Sequence, residues 1–166
     1  MVMRTAWIAS TLVFFACASV AAEDEAIDDR APDFALKSTA GPNLRLSEYR
    51  GEIVMLAFWA SWCGECRAQL QSFNDLHARY RDIGFRVLAV NLDPKMAQAQ
   101  EAAAQLDLTF PVLHDSRGTV GALYDVDELP LVVFVDRDGR VREIVEGYNR
   151  GKQDYYADRA RALLRE

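Results

Sequence analysis

Cys63 and Cys66, in the stretch Ser61-Trp62-Cys63-Gly64-Glu65-Cys66, are the residues whose types and spacing point most directly to chemistry. They lie between the apolar run Ile53 to Trp59 and a helical pattern in which Leu70, Phe73, Leu76 and Tyr80 recur every three or four positions. A cysteine at such a junction stands at a helix N-terminus, where unpaired N–H groups and the helix dipole favour a thiolate. The thiolate is the species that attacks a disulfide. Cys66 lies one turn further along the same helix face, placed to displace a mixed disulfide formed on Cys63. The expected roles are an exposed nucleophile, Cys63, and a buried resolving thiol, Cys66. No cofactor is called for, because the sulfurs themselves carry the two electrons.

Two other uses of the pair carry less weight. Zinc takes four ligands in structural sites, and only His77, His114 and carboxylates could complete such a set. His77 stands about three turns along the helix, so no metal site is expected. A purely structural disulfide would close so small a loop that it would add little stability on a chain-entropy account. Redox exchange is the favoured reading. His77, with Asp75 nearby, reads as a solvated side chain on the polar helix face, and His114 as a loop histidine.

The flanking sequence must hold this pair in place. Asp33 to Leu36 reads as a short strand, Gly41-Pro42-Asn43 as a turn, and Leu44 and Leu46 as an alternating return. Ile53 to Trp59 has the unbroken apolar character of a strand buried on both faces. The helix after Cys66 stops at Gly84, and Phe85 to Leu92 is a second buried strand. Pro94 is expected to open an Ala/Gln-rich helix running to about Leu106. Phe110 to Leu113 is extended and Thr119 to Tyr124 helical. Leu131 to Val135 is a third apolar strand, Asp136-Arg137-Asp138-Gly139 a hairpin turn, and Asp154 to Arg165 a closing helix. A strand–helix–strand unit of this kind is parallel and right-handed. The predicted fold is α/β: a mixed sheet with helices on both faces.

The chain has 166 residues, 51% of them apolar and 27% charged, with a formal charge of −6. That is one globular domain, and its acidity argues against a nucleic-acid partner. Residues 1–22 carry a single charge, Arg4, and end in Val20-Ala21-Ala22 before Glu23-Asp24-Glu25. This is the pattern of a secretory signal peptide cut after Ala22. An uncleaved anchor, or lipid attachment at Cys17, are the alternatives, although Phe14 is large for a lipoprotein signal. Residues 23–31 form an acidic lead-in and 32–166 the domain. Export would deliver Cys63 and Cys66 to an oxidising compartment, where the pair closes unless something reduces it.

From Ala31 to Leu164 the chain resembles the TlpA/ResA type of exported bacterial thiol–disulfide oxidoreductases, which have a thioredoxin-like fold. Phe58-Trp59-Ala60-Ser61-Trp62-Cys63-Gly64-Glu65-Cys66-Arg67 is the most specific match. Pro32-Asp33-Phe34 resembles the family's opening, Leu129-Pro130 its cis-proline loop, and Val133 to Arg140 the hairpin after it. The segment between Val90 and Leu113 is similar to the family's βα insert, and the opening to its N-terminal β-hairpin extension. The resemblance implies that Pro130 offers backbone groups to an extended substrate, that Trp62 shields the disulfide, and that Gly64 and Glu65 complete the site. It further implies a monomer acting on exported proteins with disulfides, in cytochrome c biogenesis or at copper-site cysteines. Electrons would come from a membrane donor of the DsbD/CcdA kind.

The departures are informative. Thioredoxins carry an Asp six residues before the first cysteine, where this chain has Ala57. ResA-like proteins carry a Glu three residues after the second, where it has Gln69. Gln71 replaces a helix-kinking proline. Glu65 is then the only carboxylate inside the motif. Its charge disfavours a Cys63 thiolate, which stabilises the disulfide and makes the pair more reducing. A redox-weak binding or chaperone-like module is the alternative function. A thiol peroxidase ranks third, for lack of the proline–threonine–cysteine arrangement.

Overall fold

The structure is a computed structural model and describes residues 30–149 and 151–166. The expected signal segment 1–22, Cys17 and most of the acidic lead-in lie outside the described residues. A seven-stranded mixed sheet runs in the order β2-β1-β5-β4-β3-β6-β7. Its strands are β1 (Ala35–Ser38), β2 (Asn43–Arg45), β3 (Ile53–Trp59), β4 (Phe85–Asn91), β5 (Val112–His114), β6 (Leu131–Val135) and β7 (Val141–Glu146). The helices are α1 (Gly64–Tyr80), α2 (Met96–Gln105), α3 (Thr119–Leu123) and α4 (Lys152–Leu164).

β3 lies between β4, to which it runs parallel, and β6, to which it runs antiparallel. Every residue of β3 and β6 is buried, as their unbroken apolar sequences require. β7, at the edge, has an alternating, half-exposed pattern. Side chains alternate across the sheet, so β3 divides the core. Ile53, Met55, Ala57 and Trp59 pack with Cys66, Leu70 and Phe73 of α1 and with Tyr156, Ala160 and Leu163 of α4. Val54, Leu56 and Phe58 pack on the other face with Phe34, Leu46, and Val120 and Tyr124 at α3.

The β1–β2 hairpin is the N-terminal extension. It is held by Asp33, whose carboxylate accepts from Ser47 N (2.9 Å), Ser47 Oγ (3.1 Å) and Arg45 Nη1 (3.0 Å). The Tyr124 hydroxyl donates to the Pro32 carbonyl at 2.8 Å. The Pro32-Asp33-Phe34 opening thus fastens the hairpin and α3 to the same sheet face.

Three expectations are corrected. α2 starts at Met96, behind an extended Lys95, so Pro94 precedes the helix instead of lying in its first turn. His114 is the last residue of β5 and pairs with Asn91, so it is no loop residue. His77 is only 5% exposed and packs edge-on against Phe110, with centroids 5.8 Å apart. It sits between Phe73 and Tyr80 on the apolar side of α1, and the α2–β5 connection covers it.

Burial, helped by the positive charges of Arg81 and Arg86, pushes the His77 pKa below its ordinary value near 6.5, with Asp82 opposing. Its Nδ1 has no hydrogen-bond partner. The unfolded chain therefore takes up a proton at this site at higher pH than the folded chain does. Stability is unaffected by His77 above about pH 6.5 and falls as pH drops below that value. Melting temperatures at pH 7.5 and pH 5 are expected to differ less in His77→Gln than in the wild type. An unchanged difference would contradict this reading.

Candidate active site

Cys63 is the N-cap of α1, with φ −84° and ψ 104°. Its Sγ accepts the Cys66 N–H at 3.1 Å. The two sulfurs are joined in a disulfide with an S–S distance of 2.02 Å and a Cα–Cα distance of 5.3 Å. The sequence makes this geometry in two steps. β3 ends at Trp59, and a turn closed by Cys63 N–H donating to the Ala60 carbonyl (3.1 Å) swings the chain into the helix. Gly64 then begins α1 with open space around its Cα.

Cys66 is fully buried and Cys63 is 8% exposed. Cys63 is thus the more accessible sulfur, yet far less open than the sequence reading expects. Its Sγ turns inward to cap the helix and to bond Cys66. The neighbouring Trp62 is 72% exposed, the most exposed of the large apolar side chains among the described residues. Glu65, in the first turn of α1, is also exposed.

The Leu129–Pro130 bond is cis. Leu131 of β6 pairs with Phe58 of β3, so the register carries Pro130 beside the end of β3 that leads to Cys63. Gly147 N–H donates to the Pro130 carbonyl at 2.8 Å and ties that loop to the end of β7.

Behind the disulfide the surroundings are apolar. Ala57, at the position of one missing acid, shares the cluster of Cys66, Leu70 and Phe73. Gln69, at the position of the other, is fully buried and donates from Nε2 to the Tyr156 hydroxyl at 2.8 Å. Its Oε1 has no partner. Burial pushes the Tyr156 hydroxyl pKa up to about 12, against the lowering effect of the Gln69 bond. Among the described residues no cluster of three or more His, Cys, Asp or Glu side chains is arranged to hold a metal ion.

Sequence reasoning missed a third polar element. Asp93 has no exposure at all and lies two residues past the end of β4. Its carboxylate accepts from Ser61 N (2.9 Å), Ser61 Oγ (2.9 Å) and Asn91 Nδ2 (2.7 Å). His114 Nε2 donates to its carbonyl at 2.8 Å. The available signal was the pair of polar residues Asn91 and Asp93 at the carboxyl end of a buried parallel strand, where sites in such sheets are built.

The family model described as the AhpC/TSA family matches residues 27–144. The thiol-disulfide oxidoreductase ResA of Oceanobacillus iheyensis is 38% identical over 142 residues, covering 81% of this chain and 74% of that protein. A solved structure described as a thiol:disulfide interchange protein DsbE, from Chlorobium tepidum, superposes with a TM-score of 0.79 and 38% identity. That match covers 82% of this chain and 96% of the other. The exposed lipoprotein thioredoxin Etrx1 of Streptococcus pneumoniae matches with a TM-score of 0.71 and 30% identity, covering 80% and 100% of the two chains. No helix among the described residues is long and apolar enough to cross a membrane.

Proposed function

We propose that this chain, which belongs to the AhpC/TSA family and is a thioredoxin-like thiol–disulfide oxidoreductase, works outside the cytoplasm as a protein disulfide reductase. The observation that carries the reading is the placement of Cys63 as the N-cap of α1, bonded to the fully buried Cys66.

A dithiol protein donor first reduces the Cys63–Cys66 disulfide, giving up two electrons and becoming a disulfide itself. The Cys63 thiolate, stabilised by the Cys66 N–H and the helix N-terminus, attacks one sulfur of a substrate disulfide. The substrate S–S bond breaks, a Cys63–substrate bond forms, and the first substrate sulfur leaves as a thiolate. Cys66 then loses its proton and attacks Cys63 Sγ. The mixed disulfide breaks, the Cys63–Cys66 bond re-forms, and the second substrate sulfur leaves. Two electrons have passed to the substrate, whose thiolates take up two protons.

Trp62 shields the pair from one side, and Pro130, with Gly64 beside the nucleophile, leaves room for an extended substrate backbone. The acidic Glu65 favours the reducing direction by opposing the Cys63 thiolate. Residues 1–22, read as a signal peptide, and the likeness to an exposed lipoprotein support a periplasmic or other extracytoplasmic location. In that setting the substrates are exported proteins with disulfides, of the kind handled in cytochrome c biogenesis, and the donor is a membrane reductant of the DsbD/CcdA type. A monomer suffices for this cycle.

Insulin reduction by residues 23–166, followed by turbidity with dithiothreitol as donor, tests this reading. Catalysis well above free dithiothreitol is expected. A rate no better than dithiothreitol alone would favour a redox-weak binding module. Peroxide consumption in place of disulfide reduction would favour a thiol peroxidase.

A further inference from the structure

We propose that Asp93 is a positioning residue for the nucleophile: its buried carboxylate locks the turn that presents Cys63 and places a fixed negative charge behind it. The inference rests on Cys63 being the attacking sulfur.

Ser61 lies inside the turn that Cys63 N–H closes on the Ala60 carbonyl. Asp93 grips this one residue twice, through its backbone N–H and through its hydroxyl, at 2.9 Å each. The grip is itself held from behind. Asn91 Nδ2 donates to the same carboxylate at 2.7 Å, and Asn91 Oδ1 accepts the Asp93 N–H at 3.0 Å. His114 Nε2 takes the Asp93 carbonyl at 2.8 Å. Asn91 lies opposite Trp59 on β3 and His114 on β5, so three strands converge on the turn. A turn restrained at both polar groups of one residue fixes where the helix begins and therefore where Sγ points.

The charge matters as well as the geometry. Every partner of the Asp93 carboxylate is a neutral donor, and no ion pair to it is found among the described residues. Asp115, the other fully buried carboxylate at this end of the sheet, is turned toward α3, where it accepts from Thr119, Val120 and Gly121 N–H groups. The remaining charged groups near the turn are Glu65 and Arg67 on α1, Lys95 ahead of α2, and Asp127 and Glu128 ahead of Pro130. None of these is buried, so water and salt screen them. Asp93 lies where screening is weakest. With Ala57 and Gln69 in place of the two expected acids, the segment after β4 supplies the buried carboxylate that β3 and α1 lack.

Charge and positioning separate in two variants of the 23–166 chain. Asp93→Asn keeps an acceptor for Ser61 but removes the charge. Alkylation of reduced Cys63 by iodoacetamide at pH 7 is then expected to speed up by about three-fold for each unit by which the thiol becomes more acidic, because the gain in thiolate fraction is partly offset by its lower nucleophilicity. The reduction potential should become more oxidising, while kcat/KM on insulin falls. Ser61→Ala keeps the charge and removes one hydrogen bond. Alkylation should stay at the wild-type rate while kcat, more than KM, falls several-fold as the sulfur loses its alignment. Should Asp93→Asn fail to fold, the Ser61→Ala result decides alone. Wild-type alkylation, potential and kcat in both variants, with only the melting temperature lowered, would overturn the inference. Mass mapping of the wild-type alkylation tests the premise separately: a first label on Cys66 would overturn the role of Cys63 and the inference with it, whereas a first label on Cys63 with wild-type behaviour in both variants would overturn the inference alone.

Discussion

Replacing Cys66 with serine is expected to stop multiple turnover and leave the protein covalently attached to its substrate through Cys63. Cys66 has no solvent exposure and its Sγ is bonded to Cys63 Sγ in the disulfide. Without it, the mixed disulfide has no internal resolving thiol and waits for an external one. The loss should exceed about a thousand-fold in insulin reduction, a span of roughly 4 kcal/mol in activation free energy. Cys63→Ser should lose turnover to the same extent but form no adduct. Non-reducing gels and intact mass of both variants after mixing with oxidised substrate check the pair. An adduct on Cys66 in the Cys63→Ser protein, at a rate comparable to the wild type, would contradict the assignment of roles.

The second large effect is expected at Gln69. A buried amide cannot take the proton that Cys66 must lose to resolve the mixed disulfide, and among the described residues the one hydrogen-bond partner of the Gln69 side chain is the Tyr156 hydroxyl, itself hard to ionise. Gln69→Glu introduces a carboxylate three residues from Cys66, on the same side of the helix. Burial raises the pKa of such a group toward neutrality, which suits it to general-base work. Resolution of a preformed mixed disulfide should accelerate by about a hundred-fold near pH 7, the low end of what a placed base contributes.

The substitution also has a stability signature with a definite sign. In the unfolded chain the introduced carboxyl group ionises near pH ~4.3, whereas in the folded chain it keeps its proton to higher pH. Stability is therefore retained below about pH 4.3 and is lost as pH rises from there through the folded pKa. Melting temperatures of Gln69→Glu relative to wild type should match most closely near pH 4 and diverge by pH 7. A constant offset across that range, with no gain in the resolving rate, would contradict the argument.

Much of this molecule was legible in the sequence because its signals are local. The apolar run Ile53–Trp59 became β3 with the expected bounds, and Leu131–Val135 became β6. Gly84, with φ +91°, closes the α1 region as its position suggested. The placement of Cys63 and Cys66 at a strand–helix junction was equally readable, since strand end, turn and helix start are contiguous. What sequence did not reveal depends on contacts from far along the chain. His77 looked solvated because Asp75 is its near neighbour in sequence, while Phe110, which covers it, comes 33 residues later. Asp93 grips Ser61 across 32 residues, and nothing in the spacing of either residue announces the other. Pro94 suggests a helix start by local rule, but α2 begins only at Met96, after an extended Lys95. The low exposure of Cys63 is by contrast a local result, arising from an Sγ that turns inward onto the helix N-terminus three residues away.

The reduction potential of the Cys63–Cys66 pair, in residues 23–166 equilibrated against defined dithiothreitol or glutathione ratios and then trapped by alkylation, tests the central claim most directly. An acidic Glu65 inside the motif and a buried Asp93 behind it both disfavour the Cys63 thiolate, so a value near that of thioredoxin, about −270 mV, is expected. The chain would then depend on a donor and act as a reductant. A value near that of DsbA, about −120 mV, would mean that the reduced form is the stabilised one. The protein would then be an oxidant, and the reading of both carboxylates would be wrong.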